Sequence, residues 1–297
     1  MAIDTSHYHG WHGKLRGPWA ASLAMVRVAL LQVFRRKLYW LVIGVGLLQF
    51  LFFWSAIYLI NQVTGMSPQF RQGMEQVFKF SATADDAGED GYSAFMERQG
   101  VVVAILLAFS GSLLVGNDFR QGALPFYLSR RIDRRHYILA KLAAVSSVVS
   151  LLTVVPALLL FFEYGMFTSN TSYWRDNWRI VLSVLGYGAV LCAVLSIWLV
   201  ALSAWLQKAA PIAITWTSLF IMLGLLAGNL EDRDSSRYWH LIDPARQMRY
   251  VGRLLFGVLE DPVDRQVAWY ALAILVSTCT LAMIALVHRV RAVEVVE

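Results

Sequence analysis

Residues 142–162 read LAAVSSVVSLLTVVPALLLFF, a run opened by Lys141 and free of any ionisable side chain. As a helix rising 1.5 Å per residue it is about 30 Å long, the thickness of a bilayer's hydrocarbon core. In lipid a segment of that length has to satisfy its own backbone hydrogen bonds, which a helix does and an isolated strand does not. Five more apolar runs share this reading, at 38–60, 101–116, 180–205, 212–228 and 268–287. The second and fifth spans are short and are expected to tilt little, to borrow flanking residues or to begin as non-spanning helix. The composition agrees: 58% of the 297 residues are hydrophobic and 15% charged, which excludes an ordinary water-soluble domain. The 11 Trp, 12 Tyr and 16 Phe suit a chain that meets headgroups at both faces of a bilayer. The expected fold is all-α, a single membrane-embedded domain over residues 1–297 with six transmembrane helices.

The basic residues flank the spans rather than forming one stripe, so the net charge of +6 does not indicate nucleic acid. With both termini cytoplasmic, the inner segments hold 15 of the 26 Lys and Arg and only five of the 20 acids. That asymmetry sets the expected orientation. Residues 1–17 are then a cytoplasmic tail, 117–141 a cytoplasmic loop and 229–267 an outer loop. No secretory signal peptide is read in the polar start of the chain. Cys192 and Cys279 fall in apolar runs, where a thiol acts as a small hydrophobe. Two amphipathic helices are expected along the membrane surface. In 18–37, Trp19, Leu23, Val26, Leu30 and Phe34 recur at helical spacing before Arg35, Arg36 and Lys37 interrupt the apolar run. In the outer loop, Asp243 and Pro244 form a cap and first-turn proline; Met248, Val251, Leu255 and Val258 share one face, and Arg246, Arg249 and Arg253 another.

Several chemistries are not supported. Gly13 and Lys14 lack the surrounding G-x-x-x-x-G-K-[ST] of a phosphate-cradling loop, so no ATPase is expected in this chain. No Asp, Glu, Lys, Arg or His falls inside the six runs as bounded above, which points to an energy source outside the bilayer. His7, His9 and His12 cluster in the tail without a Cys or acidic ligand at a recognisable spacing, and no metal site is expected there. Asn170-Thr171-Ser172 matches a glycosylation sequon, without meaning in a bacterial chain. Ser110 beside Gly111, with a late His288, superficially suits an intramembrane serine protease. The leading glycine of G-x-S-G is missing, however, and small residues at a helix contact account for the pair better. Gly224 and Gly228 form a GxxxG pair, a possible contact between spans.

After the second span, residues 111–141 read GSLLVGNDFRQGALPFYLSRRIDRRHYILAK. An acidic residue, Asp118, precedes a Gly122–Leu124 turn, a short helix with Leu124, Tyr127 and Leu128 on one face, and the bases Arg130, Arg131, Arg134 and Arg135 before Lys141. This order resembles the permeases of type-2 ATP-binding cassette exporters, and Arg35, Arg36 and Lys37 resemble that family's elbow, so that 18–37 is expected to be an elbow helix. Ala123 stands where the family usually has threonine and Arg131 where proline is common.

The resemblance implies a permease in a cell membrane, expected to be bacterial, that exports a substrate using ATP and Mg held on two separate cytoplasmic ATPase subunits, with no cofactor of its own. It further implies a second permease copy or homologue, and a coupling surface at Asp118, Gly122, Leu124, Tyr127, Leu128, Arg130, Arg131, Arg134 and Arg135. If the second and fifth spans line the route, they offer Ser110, Ser112, Thr215, Thr217 and Ser218 and no charge, a lining suited to an amphipathic or lipid-like cargo. An alternative on the same architecture is a relay that passes ATPase motion to an extracytoplasmic protein and transports little.

Overall fold

A computed structural model describes residues 17–62, 67–80, 88–111, 133–167 and 173–290. No strand occurs among them. In chain order the helices are α1 (Pro18–Phe34), α2 (Lys37–Gln62), α3 (Pro68–Phe78), α4 (Glu89–Gly111), α5 (Arg134–Leu152), α6 (Val154–Phe167), α7 (Tyr173–Asp176), α8 (Trp178–Leu206) and α9 (Ala209–Asp234). A 3₁₀ turn (Arg237–Ile242) follows, then α10 (Pro244–Phe256) and α11 (Pro262–Arg289). Six are long and apolar enough to cross a membrane: α2, α4, α5 continued by α6, α8, α9 and α11.

The spans alternate in direction, and their basic ends gather on one side. Trp205 at the end of α8 lies under the Arg289 guanidinium of α11 at 5.5 Å, and Arg134 of α5 borders the last turns of α11. At this basic end α1 packs along α5, with Ser22 Oγ donating to the His136 carbonyl at 3.4 Å and the Trp19 ring edge-on to His136 at 4.9 Å. The helix stops at Arg35 and resumes at Lys37, where the sequence breaks its apolar run. The expected stripe of α1 is divided: Ala29 and Val33 are buried with Val26, Leu30 and Phe34 beside them, whereas Trp19 and Leu23 face outward.

The third span begins eight residues earlier than its apolar run suggests and bends at Thr153. Pro156 has no N–H to give the Leu152 carbonyl one turn back, and Thr153 Oγ1 turns onto the Val149 carbonyl at 2.8 Å. The second span differs more. Its helix begins at Glu89 and draws Glu97, Arg98 and Gln99 into the bundle, so the charge-free reading of the span helices does not hold. Each of the three has a partner. Glu97 meets Arg249, Arg98 donates to the Val77 carbonyl at 2.8 Å and lies over the Phe53 ring, and Gln99 donates to the Gly46 carbonyl at 3.2 Å. Paired polar groups tolerate positions that unpaired ones do not. Lys141, over the Tyr137 ring, and Glu163 also lie buried within the third span helix.

α8 sits at the centre of the bundle, touching α4, α5, α6, α9, α10 and α11. At the end opposite the bases, Phe80, Tyr92, Phe161, Tyr164 and Tyr173 interlock, with the Tyr92 and Tyr173 hydroxyls 3.2 Å apart. Tilted and edge-on ring contacts of Tyr92 with Phe161 and Tyr164 hold the ends of α4 and α6 together.

Candidate functional site

The outer amphipathic helix decides the shape of the site. Asp243 Oδ1 accepts the Ala245 N–H at 2.9 Å, Pro244 fills the first turn, and Gly257 at φ +77° ends α10, a left-handed position that a Cβ would strain. Expected along the membrane surface, the helix packs among α4, α8, α9 and α11. Asp243 abuts Gly224, roughly 15 Å short of the end of α9 at 1.5 Å per residue. The two glycines expected to join spans thus face this inserted segment, Gly224 toward Asp243 and Gly228 toward Arg246.

The arginine stripe of α10 explains the insertion. Arg246 reaches Glu231 at 2.7 Å and Asp243 at 3.5 Å, Arg249 Nε reaches Glu97 Oε1 at 2.5 Å, and Arg253 approaches Asp90 at 4.0 Å. The stripe is therefore committed to acids of α4 and α9 and to the helix's own cap rather than to lipid phosphates. His240 adds a further tie, with Nε2 2.7 Å from Glu231 and Nδ1 2.8 Å from the Tyr250 hydroxyl. At the surface Arg237 clasps Asp261 at 2.6 Å and Asp264 at 2.7 Å. The Val263 N–H first, and Arg237 second, hold the Asp261 carboxyl below its ordinary range. A depressed carboxyl contributes its stability above the unfolded value, about 3.9, and loses it as pH falls through the folded one, so this clasp is intact at neutral pH.

The apolar face of α10 carries Met248 and Val251 into the core, whereas Leu255 is exposed and Val258 half-buried. Gly252 lies against the Tyr187 ring of α8, where a Cβ would come within 2.5 Å of the ring. Gly252→Ala is expected to push α10 off α8 at a cost of about 1–3 kcal/mol, read as a lower unfolding temperature in detergent, while Gly73→Ala, with nothing within 4 Å of its Cβ, leaves that temperature unchanged.

Beneath α10 a cavity of about 290 Å³ opens between α4 and α9, the second and fifth spans. α4 contributes Gly100, Val101, Ala104, Ile105 and Ala108; α9 contributes Trp216, Thr217, Phe220 and Ile221. Tyr187 and Leu191 of α8 form the back, and Ala245, Met248 and Arg249 the roof. A groove of about 570 Å³ runs on the other side of α9, between α8 and α11. Trp216 borders both. Its indole is 1% exposed and its Nε1 donates to the Ala104 carbonyl at 2.9 Å, so one side chain both walls the cavity and pins α9 to α4.

Of the expected route residues, Thr217 lines the cavity, Thr215 lies in the groove behind α9, and Ser218 lines neither. Ser110 is fully buried, and among the described residues its Oγ has no hydrogen-bond partner, so no described imidazole stands beside it as a base. Of the expected coupling residues, Arg134 and Arg135 stand exposed in the first turn of α5 at the basic end. Asp118, Gly122, Leu124, Tyr127, Leu128, Arg130 and Arg131 lie outside the described residues, as do Ser112, His7, His9 and His12. Sequence reasoning missed Trp216, Glu97 and Glu163. Glu163 is 1% exposed, and neither carboxyl oxygen has a hydrogen-bond partner among the described residues. Its signal was its position one residue past an apolar run, since an unpaired acid at such a place is retained against a solvation cost.

The model of the ABC-2 family transporter proteins matches residues 31–288. No curated protein matches the chain.

Proposed function

Because this chain belongs to the ABC-2 transporter family, and so is a membrane permease component of an ABC transporter, we propose that it carries an amphipathic substrate outward through the space between α4 and α9. It is a multi-pass membrane protein, and in this reading its membrane is the inner membrane of a bacterium. ATP and Mg are bound and used by two cytoplasmic ATPase subunits, the partners this family normally has. A second permease copy or homologue completes the assembly. The basic end faces the cytoplasm, and the segment from Asp118 to Arg135 receives the motion of the ATPase, with Arg134 and Arg135 offering charge-assisted contacts at the head of α5.

The cavity between the second and fifth spans is the observation that carries this reading. Its walls are almost wholly apolar, and its roof is a helix held by ion pairs that can exchange partners as the spans move. Passing ATPase motion to an extracytoplasmic protein needs no such space, so the cavity favours transport over a relay. Orientation is the first thing to test. A reporter active only in the cytoplasm is expected to work when fused after Arg135 or Glu297 and to be silent near Asp86 or Asp234. A signal at Asp86 contradicts a cytoplasmic basic end.

A further inference from the structure

The cavity beneath α10 is apolar along its length and charged at one place. Among the described residues, Glu97 of α4 and Arg249 of α10 are the only charged side chains that line it, and they face each other at 2.5 Å. Neither is sealed by packing, since their side chains are 27% and 44% exposed. Arg249 commits Nε to Glu97 Oε1. Its two Nη groups, which have no ion-pair partner among the described residues, are then able to bond a second anion, because a guanidinium carries five N–H donors. The other Glu97 oxygen is similarly able to meet a cation.

We infer that this pair is the head-group site of the cavity and that its ligand is a zwitterionic amphiphile, a molecule with an anionic and a cationic group at one end of an apolar chain. The inference rests on the reading of the cavity as a substrate route. An anionic group engages the Nη fork of Arg249, a cationic group engages Glu97, and the chain lies along Val101, Ile105, Trp216 and Ile221. The pairing of opposite charges gives the class. A ligand with one charge gains one member of the pair and sets that charge close to the like-charged other member, which repels it. A zwitterion sets each of its charges against the opposite one while the Glu97–Arg249 contact stays in place. A volume of about 290 Å³ is near the lower end for small-molecule pockets and accommodates one chain. Sugar polymers suit it poorly, because Thr217 and Tyr187 are the only hydroxyls on its walls among the described residues.

The full chain in nanodiscs of a neutral glycolipid tests this with two probes, a phosphocholine and a maltoside, each carrying an alkyl diazirine at the end of its chain. Both are expected to label α4 and α9 near Ile105 and Ile221. Dodecylphosphocholine is expected to displace the phosphocholine probe at roughly tenfold lower concentration than dodecyl maltoside or dodecyltrimethylammonium, a difference of about 1.4 kcal/mol. Glu97→Gln and Arg249→Gln are each expected to abolish that preference while the maltoside probe still labels the cavity, which shows the variants folded; Arg249→Lys retains part of it. Labelling of the cavity with no preference among head groups overturns the inference and leaves the route standing. Labelling confined to the outside of the bundle, or cross-links showing that a second copy fills the opening, overturns both.

Discussion

Replacing Trp216 by alanine is expected to cost about 3–5 kcal/mol of stability, the range for emptying a buried aromatic site, and to abolish coupled transport. The indole is fully enclosed, and it is the wall between the cavity and the groove behind α9. Its removal joins the two spaces and frees the Ala104 carbonyl of the hydrogen bond that ties α4 to α9. Trp216→Phe separates these contributions. It keeps most of the packing and loses the N–H donor, so it is expected to cost only about 1 kcal/mol and to retain a reduced but measurable rate. Thermal unfolding in detergent and ATP-driven transport in proteoliposomes check the two together. Equal stability and equal transport in wild type and Trp216→Ala remove the indole from the account.

The second large effect is expected in the proposed coupling segment. Leu124→Asp combined with Tyr127→Asp places two carboxylates where the sequence pattern leads us to expect the apolar face of a short helix, with Arg130, Arg131, Arg134 and Arg135 following. If that face docks into a cleft of the ATPase, truncating or charging such anchors commonly costs at least 2 kcal/mol each, enough to lose the subunit during purification. The variant still inserts, because no span is altered. If the same face lies on the inner lipid surface, with the arginines on phosphates and Tyr127 as an interfacial anchor, the ATPase stays bound and its turnover stays coupled. Co-purification and coupled ATP hydrolysis, measured on one preparation, distinguish the two outcomes.

The spans were legible because crossing a bilayer demands length and apolarity from each segment by itself, a property local to the sequence. Their ends were not. Glu97, Arg98 and Gln99 read as a loop because their type is costly in a span, and their tolerance depends on Arg249, Val77 and Gly46, distant in sequence. The Asp243–Pro244 cap was legible for the same local reason that the insertion of α10 was not. Capping needs neighbouring residues, whereas insertion needs Glu231, Glu97 and Asp90 on other helices. An arginine stripe looks alike whether it meets phosphates or carboxylates. Trp216 shows a related ambiguity, since a tryptophan in a span-length run is as easily a membrane-belt residue as a buried wall, and only the Ala104 carbonyl at 2.9 Å distinguishes them. Thr217 was found because it lies on the span the resemblance placed on the route, while Thr215, two residues away, turns to the other side of the same helix.

The most direct measurement is the distance between α4 and α9 while the ATPase works. Ile105 and Ile221 both line the cavity, and their side chains are 50% and 56% exposed, so cysteines carrying spin labels can stand there without displacing the core. With Cys192 and Cys279 replaced by alanine, labelled chain diluted into unlabelled chain and bound to its ATPase subunit reports one distance by double electron–electron resonance. The account predicts that this distance shifts by about 2 Å or more between the nucleotide-free and ATP-trapped states, and that Leu124→Asp with Tyr127→Asp removes the shift. A distance distribution that is the same in every nucleotide state contradicts it.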